Sequence, residues 1–323
     1  MEVYEQIVAC FLSVPDVHLW EDAQVLFRRV ASGRPKHWLL PLQTCEAVGG
    51  TREQAIPAAV AIACAHIGII LVDDMLDSDP RGEYKRIGKS AASNLACAFQ
   101  SASLGALNLA DVQLDARLAA LNGLNAMFFT TALGQFWDTQ SPSDETAYWR
   151  VVQTKSSPFF GAALQIGGLA GGGSIEIADH LRELGGLYGE AIQIHDDLND
   201  SMAVPANPDW IQGRSPLPIL FAKQVDHSQR DRFLKLCENI SDAGALTEAQ
   251  EILIQCGAVS YCVDQLLRRY MSARELLDAV TLQHRDVLED LFQGVVTPVW
   301  KLFEAMGEAP PDLPTLKEMA APG

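Results

Sequence analysis

Apolar residues recur at spacings of three and four through 20–31, 113–133, 228–238, 260–281 and 285–305. That interval lays one apolar stripe along an α-helix. Runs of alternating β-branched residues are nearly absent. There is no βαβ alternation and no GxGxxG string, which argues against a dinucleotide-binding sheet. Ala55 to Val72 forms 18 residues without a charge, the length of a membrane-span candidate. The stretch holds Pro57 and His66, is rich in Ala and Gly where a span favours Leu and Phe, and runs straight into Asp73-Asp74. It reads as a buried helix of a large bundle, and no transmembrane segment is expected. Breaks fall at Gly33-Arg34-Pro35, Gly49-Gly50, Pro80-Arg81-Gly82, Ser141-Pro142-Ser143, Gly171-Gly172-Gly173 and the proline-rich 205–218 segment. None is long enough to link two domains. The pattern predicts an all-α fold, a single bundle of about ten or more helices around a central cavity. It spans residues 1–309, with a Pro-rich tail at 310–323.

Composition narrows the partners. The chain has 323 residues, 48% of them hydrophobic and 20% charged, as a packed globular protein requires. Its formal net charge of -17 disfavours nucleic acid and anionic lipid, both of which need clustered Lys and Arg. Seven scattered cysteines form no CxxC pair and read as small core residues in a reducing cytosol. Met1-Glu2-Val3-Tyr4-Glu5 lacks the basic start of a secretory signal, so a cytoplasmic location is expected.

The chemistry concentrates in two acidic strings. Asp73, Asp74 and Asp77 close the uncharged helix, and Asp196, Asp197 and Asp200 repeat the DDxxD spacing after another apolar run that starts near Leu184. On a helix the first and last aspartates of each string stand one turn apart on a shared face. Carboxylates so placed repel unless a cation satisfies both. All-oxygen ligands select a hard cation, and Mg²⁺ bridges a few carboxylates to phosphate oxygens. A diphosphate is therefore the implied ligand. Neither string has the glycine and terminal Glu of an EF-hand, and His195 beside the second string is a wall residue rather than part of a zinc site.

At these residues the chain resembles the trans-isoprenyl diphosphate synthases, the polyprenyl synthetase family, over roughly residues 30–225. Asp73, Asp74 and Asp77 match its first aspartate-rich motif. Gly189-Glu190-Ala191-Ile192-Gln193 with Asp196, Asp197 and Asp200 matches its second. Lys155-Ser156 is similar to a Lys-Thr that touches the allylic diphosphate, and Gly134-Gln135 to a Gly-Gln that precedes it. Gly213 to Pro218 resembles a GKxTLP string, with Arg214 in the lysine place. His66, seven residues before Asp73, matches a His or Gln that binds the second diphosphate. Two places depart. Where the family carries GGKRxR to grip isopentenyl diphosphate, this chain has Ser32-Gly33-Arg34-Pro35-Lys36-His37. Arg34 and Lys36 keep some charge, but His37 stands where an arginine is expected, and neutral histidine lacks arginine's fork. The Arg-Arg-Gly after the first motif is replaced either by Arg81-Gly82 or by Lys85-Arg86, the latter favoured.

The resemblance implies a homodimeric, Mg²⁺-dependent transferase. About three ions would bridge the six aspartates and an allylic prenyl diphosphate. Lys155, Arg86, Arg214 and Gln193 would assist ionisation. The cation formed would condense with isopentenyl diphosphate held by Arg34, Lys36, His37, His66, Arg81 and Lys85. With that second site eroded, the alternatives are a terpene cyclase, another prenyltransferase on the same scaffold, or a non-catalytic partner subunit. Small residues at Ala58, Ala61, Ala65 and Gly68 either floor a deep channel for a geranylgeranyl-length or longer chain, with Gly68 and Ile69 in the length-limiting places, or let two helices touch. Phe128, Phe129, Phe159 and Phe160 are cavity lining or ordinary core.

Overall fold

The computed structural model describes residues 2–140 and 143–305, so the tail expected at 310–323 lies outside the described residues. Among them the regular structure is helical throughout. The helices are α1 (Val3–Ser13), α2 (Glu21–Ser32), α3 (Leu40–Ala47), α4 (Ile56–Asp77), α5 (Tyr84–Ile87), α6 (Lys89–Leu107), α7 (Leu114–Asp138) and α8 (Glu145–Lys155). They continue as α9 (Ser157–Ala170), α10 (Ile175–Ser201), α11 (Pro208–Ile211), α12 (Leu217–Gln224), α13 (Arg230–Cys237), α14 (Ala243–Gln255), α15 (Ala258–Ala279) and α16 (Asp286–Ala305).

The uncharged stretch is α4. Pro57 sits in its first turn, where a missing N–H costs nothing. Ser78 ends it in the left-handed conformation, with φ 57°, by returning its N–H to the Asp74 carbonyl. The helix packs against α1, α6 and α9, and 72% of its apolar window is buried within the bundle. The small-residue stripe explains the close packing. Ala58, Ala61 and Ala65 are fully buried, and a Cβ added at Gly68 would lie 3.3 Å from the Ala96 carbonyl and 3.7 Å from Phe99 Cβ. Gly68 therefore faces α6 and does not floor a channel. A small residue serves either purpose, and here the neighbour is another helix.

The second acidic string rides on α10, 27 residues long and so about 40 Å. Its Ser174 side chain caps the Ile177 N–H. The helix starts about two and a half turns before Leu184 because Ala178, Leu181 and Leu184 form the buried stripe, while Asp179, His180, Arg182 and Glu183 fill the outer face and mask it in sequence. A smaller apolar cluster around Trp210, Phe233, Leu246 and Leu253 sits beneath α11 to α14. Then α15 returns to α10, and α16 returns to α3 and α10. His195 Nε2 donates to the Val295 carbonyl at 2.6 Å, tying α10 to α16.

Candidate active site

The C-terminal turns of α4 and α10 face each other across a cleft of about 720 Å³. Asp73 and Asp77 line one wall, and Asp196, Asp200 and the edge of Asp197 line the other. Two cations reach the acidic mouth. Lys155 Nζ lies 3.1 Å from Asp73 and 2.6 Å from Asp138. Burial works against its charge, but Asp73 and Asp138 outweigh burial and raise its pKa. Arg214, from the loop before α12, pairs with Asp77 at 2.5 Å. Gly134 makes the lysine contact possible: a Cβ there would fall 2.3 Å from the Lys155 backbone nitrogen, so only glycine lets α7 come close enough to bring Asp138 beside Lys155. Asp138 has no sequence signal of its own beyond its place one turn after Gly134-Gln135.

The middle aspartates behave differently from their neighbours. Asp197 is 6% exposed. Its Oδ2 accepts from the Tyr148 hydroxyl and the Leu217 N–H, each at 2.7 Å, and its Oδ1 from Gln193 Nε2 at 2.8 Å. Burial still pushes its pKa up to about 6 against these three donors. Both oxygens are engaged, Oδ2 by two donors and Oδ1 by one, while an edge of the residue still lines the cleft. It is a junction joining α8, α10 and α12. Through Gln193, which accepts from the Ser156 hydroxyl at 2.9 Å, it also orients the Lys155-Ser156 corner. Asp74 faces the loop after α4, where a Cβ on Gly82 would lie 2.8 Å from its own Cβ. Burial, then Asp79 and Asp73, push its pKa up to about 6. Asp196 and Asp200 are also raised, chiefly by burial.

The carboxylate geometry suits a hard cation. Asp73, Asp77, Asp196 and Asp200 offer only oxygen, on two opposed walls. Among the described residues no three acidic, His or Cys groups converge on one point. An ion at this cleft would complete its shell with ligand oxygens or water, as Mg²⁺ does beside phosphates.

The basic residues after the first string divide in two. Arg81 binds Asp79 at 2.8 Å at the cleft mouth, and its charge acts on Asp74 and Asp200. Arg86 instead pairs with Glu83, which Arg29 of α2 also holds. Lys85 extends over the Tyr84 ring, 5.1 Å from its centroid. Neither lines the cleft. Arg81 is not among the cleft-lining residues either; what distinguishes it is that its charge acts on Asp74 and Asp200, whereas Arg86 is held at Glu83 beside α2.

The inner end is aromatic and uncharged. His37, His66, Ile69, Ile70, Phe159 and Phe160 line it. Phe159 and Phe160 thus belong to the cavity, while Phe129 is 74% exposed on α7. Trp38 Nε1 donates to His66 Nδ1 at 3.2 Å. Burial lowers both histidine pKa values. His66 falls to about 4, aided by His37, and His37 falls with help from Lys36. Arg34 is turned outward into a 2.6 Å pair with Glu2, and Lys36 is exposed. Neither lines the cleft, which corrects their expected place in a diphosphate grip. Arg34 takes a positive φ of 52° at the turn before Pro35, and Glu2 at the start of α1 captures its guanidinium.

A family model described as polyprenyl synthetase matches residues 28–253. The geranylgeranyl diphosphate synthase of Methanosarcina mazei is 27% identical over 268 residues, covering 77% of this chain and 81% of that protein. The geranylfarnesyl diphosphate synthase of Aeropyrum pernix is 24% identical over 305 residues, 83% of this chain and 91% of that one. Among solved structures, geranylgeranyl pyrophosphate synthetase from Pyrococcus horikoshii superposes with a TM-score of 0.78 at 23% identity, covering 91% of this chain and 94% of that chain.

Proposed function

The chain belongs to the polyprenyl synthetase family, and from that premise we propose a magnesium-dependent prenyltransferase that ionises an allylic isoprenoid diphosphate. Condensation with isopentenyl diphosphate would give a trans-prenyl diphosphate of geranylgeranyl length or longer, as the names of the M. mazei and A. pernix relatives suggest. The observation that carries this reading is the opposition of Asp73 and Asp77 to Asp196 and Asp200 across one cleft, with Lys155 and Arg214 at its mouth.

These four aspartates would hold about three Mg²⁺ ions against the diphosphate, and bound magnesium would neutralise charge on the leaving group. Lys155 and Arg214 add positive charge at the same oxygens. Gln193 and Ser156, fixed by Asp197, hold the corner that carries Lys155. Arg81 adds positive charge that acts on Asp74 and Asp200. Ile69, Ile70 and Ile192 give the isoprenoid an apolar wall and keep water from the cation. A homodimer belongs to the same proposal. Leu118, Phe129, Leu133 and Phe136 are exposed and share one face of α7 by helix arithmetic, an apolar surface a second copy would cover. Seven free thiols support a reducing, cytoplasmic setting.

A second reading, a cyclase or a transferase to another acceptor, is favoured by the uncharged inner end. Purified chain is incubated with Mg²⁺, each allylic diphosphate and labelled isopentenyl diphosphate. Released diphosphate with label in a longer chain supports the first reading, and release without label supports the second. Full turnover in excess EDTA would remove the metal assignment.

A further inference from the structure

The acceptor end of the cleft is built unlike a diphosphate site. His37 packs edge-on to Phe160 at 5.4 Å between ring centroids, His66 lies 5.7 Å from Phe159, and the two imidazoles stand 5.9 Å apart. Phe159 and Phe160 close the box edge to face at 5.2 Å. His66 accepts from Trp38 on Nδ1, so its neutral ring carries the proton on Nε2. The two cations that line the cleft, Lys155 and Arg214, sit at the other end on first-string carboxylates. His66 is seven residues up α4 from Asp73, about 10 Å along the axis. The rings themselves offer a second diphosphate no charge, so the isopentenyl diphosphate of the proposed condensation would have to keep its headgroup outside them, in water. A flat uncharged ring gains instead, because edges and faces of four rings suit its quadrupole. The isoprenoid tail has its own wall in Ile69, Ile70 and Ile192, which leaves the ring box for an acceptor.

We infer that the His37–His66–Phe159–Phe160 box admits an uncharged aromatic nucleophile, giving the enzyme a further activity, prenyl transfer to an aromatic ring carbon. The inference rests on the ionisation proposed above. The allylic carbon–oxygen bond breaks and its electron pair leaves on diphosphate. A π pair of the acceptor ring forms the new carbon–carbon bond. The ring carbon then loses its proton to an imidazole nitrogen of His37, and aromaticity returns. The burial that lowers the histidine pKa keeps this base unprotonated before the step. Its weakness is no obstacle, since a protonated aromatic ring is a very strong acid. The ring faces of the box also stabilise the allylic cation on its way to the acceptor.

The test incubates the full chain with Mg²⁺, geranylgeranyl or farnesyl diphosphate, and indole or 1-naphthol as acceptor probe, with and without isopentenyl diphosphate. Released diphosphate and products are followed together by chromatography and mass spectrometry. The expected result is a C-prenylated ring whose formation falls about tenfold or more in His37→Arg. Circular dichroism checks that this variant is folded, and the drop is accompanied by increased incorporation of isopentenyl diphosphate. Release of diphosphate with all prenyl carbon in longer diphosphates, hydrocarbons or alcohols, and none on either probe, overturns the inference and leaves ionisation standing. Absence of diphosphate release with any acceptor strikes the proposed ionisation itself.

Discussion

The two acidic strings share a spelling and differ in what surrounds them. In each, the first and last aspartates face the cleft. The middle residue of the first string, Asp74, sits among like charges and a glycine turn, while that of the second, Asp197, is gripped by three donors from three helices. The same DDxxD thus contains two cleft-facing carboxylates and one whose role depends on local packing. Spacing decides which side chains share a face. What meets the remaining aspartate is decided by residues up to 49 positions away, the separation of Tyr148 and Asp197.

The largest effect expected is on turnover. Asp73→Ala and Asp196→Ala should each cost about a hundredfold or more, since a lost metal ligand removes several kcal/mol of leaving-group stabilisation. Circular dichroism should stay native because both residues face an open cleft. A near wild-type rate in either would break the symmetry of the outer aspartates. Asp197→Asn should instead act on the fold. Replacing a buried acceptor whose partners are all donors costs roughly 1–3 kcal/mol, read as a lower melting temperature, whereas Asp74→Asn should leave melting nearly unchanged. Equal melting of the two variants would erase the contrast drawn between them.

Gly68→Phe probes the helix that carries the first string. Overpacking against Ala96 and Phe99 should destabilise the chain by about 1–3 kcal/mol or more and lower activity on every substrate alike. A shortened product with unchanged melting would instead return Gly68 to the channel. The pH response has a defined sign. Asp74 and Asp197 each titrate near 6 when folded and lower when unfolded, so between about pH 4 and 6 the folded chain holds protons that the unfolded chain has released. The share of stability that these two carboxyls control should therefore fall as pH rises through that window, while His66 and His37, whose pKa values are lowered, act with the opposite sign. Melting curves across pH 4 to 7 on a variant with His37→Gln and His66→Gln, which removes the histidine contribution, should slope downward, and a rise over the same interval would contradict it. The smallest effect belongs to Arg86→Gln. An exposed pair with Glu83 contributes about 1 kcal/mol or less, and turnover should stay near wild type, while Arg81→Gln at the mouth should be slower. A slower Arg86→Gln with normal Arg81→Gln would reverse the assignment of the two basic residues.

Much of the fold was readable because α4, α7, α15 and α16 bury continuous apolar stripes, and a three-to-four spacing needs no tertiary knowledge. The beginning of α10 was hidden because charged residues on its outer face interrupt the run. The four cleft-facing aspartates were visible from spacing alone. Asp138 was not, since its partner Lys155 lies 17 residues away on another helix, and only the close approach at Gly134 joins them. Gly68 was ambiguous for a physical reason: absence of a side chain looks the same beside a cavity as beside a helix. His37 announced a lost arginine in the sequence, but the aromatic box it belongs to is assembled from three separate segments.

Lys155 and Arg214 hold Asp73, Asp138 and Asp77, so three of the carboxylates at the cleft already have a cationic partner within the chain. On the proposed reading, magnesium entering alone would have to displace an ammonium and a guanidinium that have nowhere better to go. A diphosphate would offer those two groups a new anion, and the carboxylates they release would be the ones available to hold an ion. On that reading the chain would bind ion and substrate together more readily than the ion alone.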